Sequence, residues 1–402
     1  MKKYCYLFLK LFIVFCVIFA NDVFAFDFKV SSDKVLLINL NDDSILYEKN
    51  SDDKTYIASI TKIMTAIVVL ENVDDLNDTN KILYEDVKSF SYDVAMTHLK
   101  LNTNYTNYEL LHGLMLESGA DCAHALARIV GGNVPNFVKM MNDKADELGM
   151  SNTKFSNPTG LDDKNNYSTA SDVAILFKYA LENEVFYKIV STMKYKVDNI
   201  ILKNTILTNE ERYNLSLPYL IGGKTGTEDK AGYCLASIAT YNDIDYMLIV
   251  LNSKKAPGNF VDTKNIYEYY MNNYNYYTLI SEGDVFNIFD TKYLREKSIS
   301  VSSDNDSSYY LKNDYEDKIR MEYNGKEVIN PKIKKGDLLG TYSIYYEEKL
   351  LDEIPVYLNQ DIHFSFLGFI LYYRYLFIIG LSLVGVILLT IFVVRRLKKN
   401  RK

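Results

Sequence analysis

The chain has no tryptophan, four histidines, four cysteines and six prolines among 402 residues. His98, His112, His124 and His363 form no metal-spaced pair and no C-x-x-C occurs, so a zinc hydrolase is not expected. No cofactor is expected either. Cys5 and Cys16 fall in the N-terminal apolar segment, and Cys16 lacks the small residues that precede a lipidated cysteine. Cys122 and Cys234 remain, two residues that an oxidising compartment permits to pair and that their isolation equally suits to simple burial. Positive charge is scarce over the body of the chain. Residues 26–373 carry 35 basic and 51 acidic side chains, which excludes nucleic acid as a partner, because phosphate binding needs clustered Lys and Arg. Disorder is excluded as well, since 48% of residues are hydrophobic and 24% charged. At roughly 100–200 residues per domain, the length predicts two or three domains.

Both ends carry membrane signals. Lys2, Lys3 and Lys10 precede the apolar run Leu11 to Ala20, and Val23-Phe24-Ala25 offers a cleavage site, so residues 1–25 read as a secretory signal peptide. Residues 375–394 hold no charge, long enough to cross about 30 Å of hydrocarbon at about 1.5 Å per residue. Arg395, Arg396, Lys398, Lys399, Arg401 and Lys402 follow at once. The positive-inside rule then puts the tail, 395–402, in the cytoplasm and the body outside the cell membrane.

Between these signals the chain divides in two. A strand-like run at Lys34 to Leu40, the turn Asn41-Asp42-Asp43 and a second run at Ser44 to Glu48 predict a hairpin. Helices are expected from Ala58 to Leu70, from the capping pair Thr106/Glu109 to about Glu117, over 121–130, over 135–148 and over 171–181. Strands return at 232–240 and 245–251, and a tyrosine-rich helix at 265–277 closes this part. The pattern predicts an α/β or α+β domain over residues 26–275. Short strand-like runs over 279–360 predict a small all-β, sandwich-like module, with one turn at Lys335-Gly336-Asp337.

Ser59-Ile60-Thr61-Lys62 is an S-x-x-K tetrad. The spacing occurs at four other places, but only here does it open an apolar helix directly after a hairpin. Spacing i, i+3 puts both side chains on one face. A Lys buried there has its pKa lowered by desolvation and is able to take the serine proton. The free N–H groups at a helix N-terminus favour a developing oxyanion. Lys224-Thr225-Gly226-Thr227 precedes a strand; a Lys on an edge strand suits a substrate carboxylate, and a Gly beside it lets a substrate backbone approach. S-x-x-K and K-T-G support one another as a pair.

With Leu116-Glu117-Ser118-Gly119-Ala120-Asp121, Asn157-Pro158-Thr159-Gly160-Leu161-Asp162 and Ala231-Gly232-Tyr233, these motifs resemble the low-molecular-mass penicillin-binding proteins, the serine-type D-alanyl-D-alanine carboxypeptidases. The resemblance implies a serine β-lactamase/transpeptidase-like fold. It implies Ser59 as acylated nucleophile, Lys62 as general base and Ser118 as the hydroxyl that relays protons. Lys224 and Thr225 would bind the terminal carboxylate, and backbone N–H groups of Ser59 and Thr227 would form the oxyanion hole. The implied partners are peptidoglycan stem peptides, β-lactam antibiotics and, through the C-terminal helix, the membrane.

The family's middle motif is Ser-x-Asn, and Ala120 stands at its third position. Losing one such hydrogen bond costs about 2–4 kcal/mol of transition-state stabilisation. Ile206 likewise stands where the family often shows Asn. A β-lactamase is disfavoured because no E-x-x-L-N stretch supplies a deacylating Glu. A catalytically impaired penicillin- or peptidoglycan-binding wall protein, with Ala120 as its mark, is the alternative to an active carboxypeptidase.

Overall fold

The computed structural model describes residues 29–399. The signal-peptide reading of residues 1–25 lies outside them, as do Arg401 and Lys402 of the basic tail. The chain divides into two compact units between Tyr269 and Tyr270.

The first unit is built on an antiparallel sheet. Its strands are β1 (Lys34–Asn39), β2 (Ile45–Lys49), β3 (Leu220–Glu228), β4 (Gly232–Tyr241) and β5 (Ile244–Ser253), in the order β2-β1-β5-β4-β3. β5 is buried at nine of its ten positions. That is why it reads as a continuous apolar run: a strand covered on both faces has no solvent side to alternate with. Helix α1 (Lys62–Asn72) is buried from Lys62 through Val69. An 11-residue helix apolar all round has to be central, and α2 (Asn107–Leu116), α3 (Ala120–Gly131), α4 (Val134–Glu147) and α5 (Ala170–Leu181) all pack on it. Each of its fully buried aliphatic side chains contributes about 1.5–3 kcal/mol. After a short helix at Glu184–Val190, helix α6 (Thr205–Tyr213) packs on edge strand β3. Helix α7 (Gly258–Asn273) covers the sheet with Tyr267, whose hydroxyl donates to the Ser237 carbonyl at 3.0 Å.

Three sequence expectations need correction. The helix read from Ala58 starts as a 3₁₀ turn, Ala58–Thr61, and becomes α-helical only at Lys62. The tyrosine-rich stretch is a helix only to Asn273; Tyr274 opens a strand, Tyr274–Ile280. A hairpin of Lys194–Val197 and Ile200–Lys203, together with α6, occupies a stretch with no predicted element. These pieces are short, and contacts distant in sequence hold them: Lys203 N donates to Glu117 Oε1 at 2.6 Å.

From Tyr274 the second unit is built of β-strands, with one 3₁₀ turn at Glu316–Lys318, until its C-terminal helices. Strands from Tyr274 to Tyr357 form small sheets around Phe289, Ile299, Val301, Ile329 and Val356. The predicted turn is present, with Gly336 at φ +88°. A short helix, Phe366–Tyr372, precedes α8 (Arg374–Lys399). Arg374–Leu397 is, among the described residues, the one helix long and apolar enough to cross a membrane.

Candidate active site

In the first unit the 3₁₀ turn sets Ser59 against Lys62. With three residues per turn, positions i and i+3 eclipse more closely than in an α-helix. Lys62 Nζ donates to Ser59 Oγ at 2.8 Å and to the Thr159 carbonyl at 2.6 Å. Ala58, just before Ser59, is held at φ +46°, and Ser118 at φ +61°. Both are strained backbone for non-glycine residues, of the kind that collects at active sites.

Ser118 lies in the turn between α2 and α3. Lys224, fully buried on β3, gives its Nζ to Ser118 Oγ at 3.0 Å and to the Thr225 carbonyl at 2.9 Å. Thr225 Oγ1 donates to Thr205 Oγ1 at 2.7 Å. Ser59, Lys62, Ser118, Thr225 and Thr227 line one cleft of about 520 Å³; Lys224 lies behind its wall. All six sequence-proposed residues therefore converge.

Gly226 keeps β3 close to Ser59. A Cβ at that position would stand 2.9 Å from the Ile57 carbonyl oxygen and 3.1 Å from Ser59 N. The edge strand and the Ser59 turn therefore pack backbone to backbone, as an oxyanion hole drawn from Ser59 and Thr227 requires.

The electrostatics follow from burial. Desolvation lowers the Lys62 pKa to about 7, against the opposing charges of Glu228 and Asp121. Desolvation also pushes Lys224 well below the ordinary lysine range, helped by the charge of Lys62. Glu228, half-buried at the end of β3 and lining the cleft, is raised to about 7 by burial and by Asp162.

Two roles escaped the sequence. Asn157 Oδ1 accepts from Thr159 Oγ1 at 2.8 Å and Gly160 N at 2.7 Å, fixing the carbonyl that orients Lys62. The Asn-Pro-Thr-Gly motif was visible, but its partner lies about 100 residues away. Glu228 gave no signal beyond adjacency to Lys224-Thr225-Gly226-Thr227. Asp121, a candidate to replace the missing middle-motif Asn, is committed elsewhere: its carboxylate accepts from Thr97 Oγ1 at 2.5 Å and Thr97 N at 3.1 Å. Ala120 itself lines the cleft. Cys122 and Cys234 are buried and unpaired.

Residues 21–255 match the family described as D-alanyl-D-alanine carboxypeptidase, and residues 274–363 match the C-terminal domain of penicillin-binding protein 5. D-alanyl-D-alanine carboxypeptidase DacF of Bacillus subtilis is 30% identical over 336 residues, covering 81% of this chain and 84% of that protein. Penicillin binding protein 5 from Haemophilus influenzae superposes with a TM-score of 0.62 at 25% identity, over 84% of this chain and 99% of that one. The Streptomyces K15 DD-transpeptidase does so with a TM-score of 0.56 at 30% identity, over 61% and 98%.

Proposed function

Because the chain belongs to the D-alanyl-D-alanine carboxypeptidase family, the low-molecular-mass penicillin-binding proteins, we propose that it removes the terminal D-alanine from peptidoglycan stem pentapeptides through an acyl-enzyme on Ser59. The observation that carries this reading is the 2.8 Å contact between Ser59 Oγ and a buried Lys62 whose pKa lies near 7. Neutral Lys62 takes the Ser59 proton as Oγ attacks the carbonyl of the penultimate D-alanine. Backbone N–H groups of Ser59 and Thr227 hold the oxyanion. Lys62, Ser118 and Lys224 pass the proton to the departing amine, and D-alanine leaves. Water then cleaves the Ser59 ester, with Lys62 again as base. Lys224, Thr225 and Thr227 form the strip along which the peptide's C-terminal end lies. β-Lactams acylate the same serine, the ring nitrogen standing for the departing amine. The Arg374–Leu397 helix anchors the protein in the cell membrane, with the catalytic unit outside and the basic tail in the cytoplasm.

The test is mass spectrometry on a muropeptide pentapeptide. The expected product has lost one alanine, and a benzylpenicillin adduct maps to Ser59. An intact pentapeptide and no adduct, from folded protein, would favour the impaired wall-binding reading.

Ala120→Asn gives a further expectation. Asp121 is spent on Thr97 and Ala120 offers no polar atom from its side chain, so substrate finds no amide at this position. Restoring it is expected to raise kcat/KM for a D-alanyl-D-alanine peptide by about tenfold or more. An unchanged value would mean that the site has found another donor.

A further inference from the structure

Residues 86–97 run along one side of helix α3. Ala120, Asp121, His124 and Arg128 share that side, at spacings i, i+1, i+4 and i+8, and each holds a residue of the segment. Arg128 grips the Asp86 carboxylate through Nε and Nη2, both at 2.8 Å. The Phe90 and His124 rings lie 4.5 Å apart. Ala120 N donates to the Ala95 carbonyl at 2.9 Å. Asp121, only 2% exposed, accepts from the Thr97 N–H and hydroxyl and from Cys122 N. So held, the segment brings Ser91, Asp93, Val94 and Ala95 to the cleft wall.

The clamp at Thr97 bears on Ser118. A Cβ on the next residue, Gly119, would stand 2.4 Å from Thr97 Cγ2 and 2.6 Å from Asp121 Oδ1. A Cβ on Gly113 would stand 2.8 Å from the same Thr97 methyl. Thr97 therefore fills the hollow between the end of α2 and the Ser118–Gly119 peptide. It belongs to no helix or strand, so its place depends on Asp121. Ser118 is at φ +61°, and such backbone strain persists only where the surroundings over-determine it.

On the carboxypeptidase reading above, we propose that Asp121 is a positioning residue for proton delivery: through Thr97 it holds the Ser118 turn in its strained conformation, with Ser118 Oγ beside Lys224 Nζ and aimed at the departing amine. Asp121 does not line the cleft and touches no reacting atom. A carboxylate suits the task because it only accepts, and so receives three donors at once. It also lies in the first turn of α3, where the helix dipole favours negative charge.

The experiment compares a D-alanyl-D-alanine peptide with the matching thioester, in which a thioglycolate replaces the last D-alanine. An amine leaves only after gaining a proton, whereas a thiolate leaves without one, so a misplaced Ser118 slows the amide selectively. The full chain is measured with Thr97→Val, which keeps the packing and removes the hydroxyl, with Thr97→Ser, which restores it, and with Asp121→Asn. Thr97→Val and Asp121→Asn are each expected to lower the amide-over-thioester ratio of kcat/KM by about tenfold, Thr97→Ser to stay near the parent, and the double variant Thr97→Val/Asp121→Asn to lose no more than the worse single one. An unchanged ratio, equal losses on both substrates, or multiplicative losses in the double variant overturn the assignment while leaving the carboxypeptidase reading intact. A parent protein that cleaves neither substrate sinks that reading, and the role of Asp121 with it.

Discussion

Substituting either member of the Ser59–Lys62 pair is expected to lower kcat/KM for a D-alanyl-D-alanine peptide by at least about 10³-fold, and substituting both to cost no more than the worse single change. The reason is that, in the mechanism proposed above, the two act on one proton. Lys62 without Ser59 has nothing to activate, and Ser59 without Lys62 keeps its proton at neutral pH. Ser59→Ala and Lys62→Met are the informative variants. Met conserves the length of the Lys stem in a pocket where the residue is only 2% exposed, and it removes a desolvated amine rather than creating a buried charge. Thermal unfolding is therefore expected to show Lys62→Met at least as stable as the parent. Single-turnover acylation by benzylpenicillin reads the catalytic loss directly. Multiplicative losses in the double variant would mean that the two residues serve separate steps.

The pH dependence follows with a definite sign. Only neutral Lys62 is a base, and burial sets its pKa near 7, so acylation is expected to rise with pH through that region. Glu228 opposes this, since its negative charge favours the protonated amine. The Glu228 carboxyl is itself raised to about 7, so the two groups lose protons over the same range and titrate as a pair. In Glu228→Gln the opposing charge is gone, and the acid limb is expected to move to lower pH.

The sequence made the candidate constellation legible because the chemistry proposed for it is tied to short local patterns. Ser59 and Lys62 are three residues apart, and Lys224 to Thr227 form one run on one strand. The sheet and the central helices were legible too: β5 and α1 are long, and their burial leaves a strong apolar signature. What stayed hidden depends on contacts across the chain. The first turn is 3₁₀ and packs tightly against the Gly160 loop and β3, and no periodicity in residues 58–61 records that. Helix α6 carries Arg212 to the cleft, yet it is nine residues long with one buried side chain, Ile206; a polar helix held by an edge strand leaves little pattern. The orientation of Asp121 toward Thr97 is likewise a tertiary fact, spanning 24 residues.

Gly160 is where local chemistry and distant packing meet, and Gly160→Ala is expected to damage both stability and catalysis. The residue sits at φ +87°, and a Cβ there would stand 1.9 Å from the Ala58 carbonyl oxygen and 2.9 Å from Ser59 N. Both are backbone atoms, so no side chain can swing aside. Relief requires the 3₁₀ turn or the Asn157–Gly160 loop to move. The Asn157 bonds to Thr159 and Gly160 resist the second option. The expected cost is about 3 kcal/mol or more, combining left-handed strain with the clash, which lowers Tm by roughly 6–12 °C for a unit of this size. Gly149 supplies the control. It has φ +76° with nothing near its absent Cβ, so Gly149→Ala carries only the conformational cost, about 1 kcal/mol. Because the clash falls on the peptide that carries Ser59 N, an oxyanion donor in the mechanism proposed above, the Gly160 variant is also expected to acylate more slowly under conditions where it remains folded. Equal Tm losses at the two glycines would show that the Ser59 turn yields freely, and would remove the Asn157–Gly160 loop from the set of elements that hold Ser59 in place.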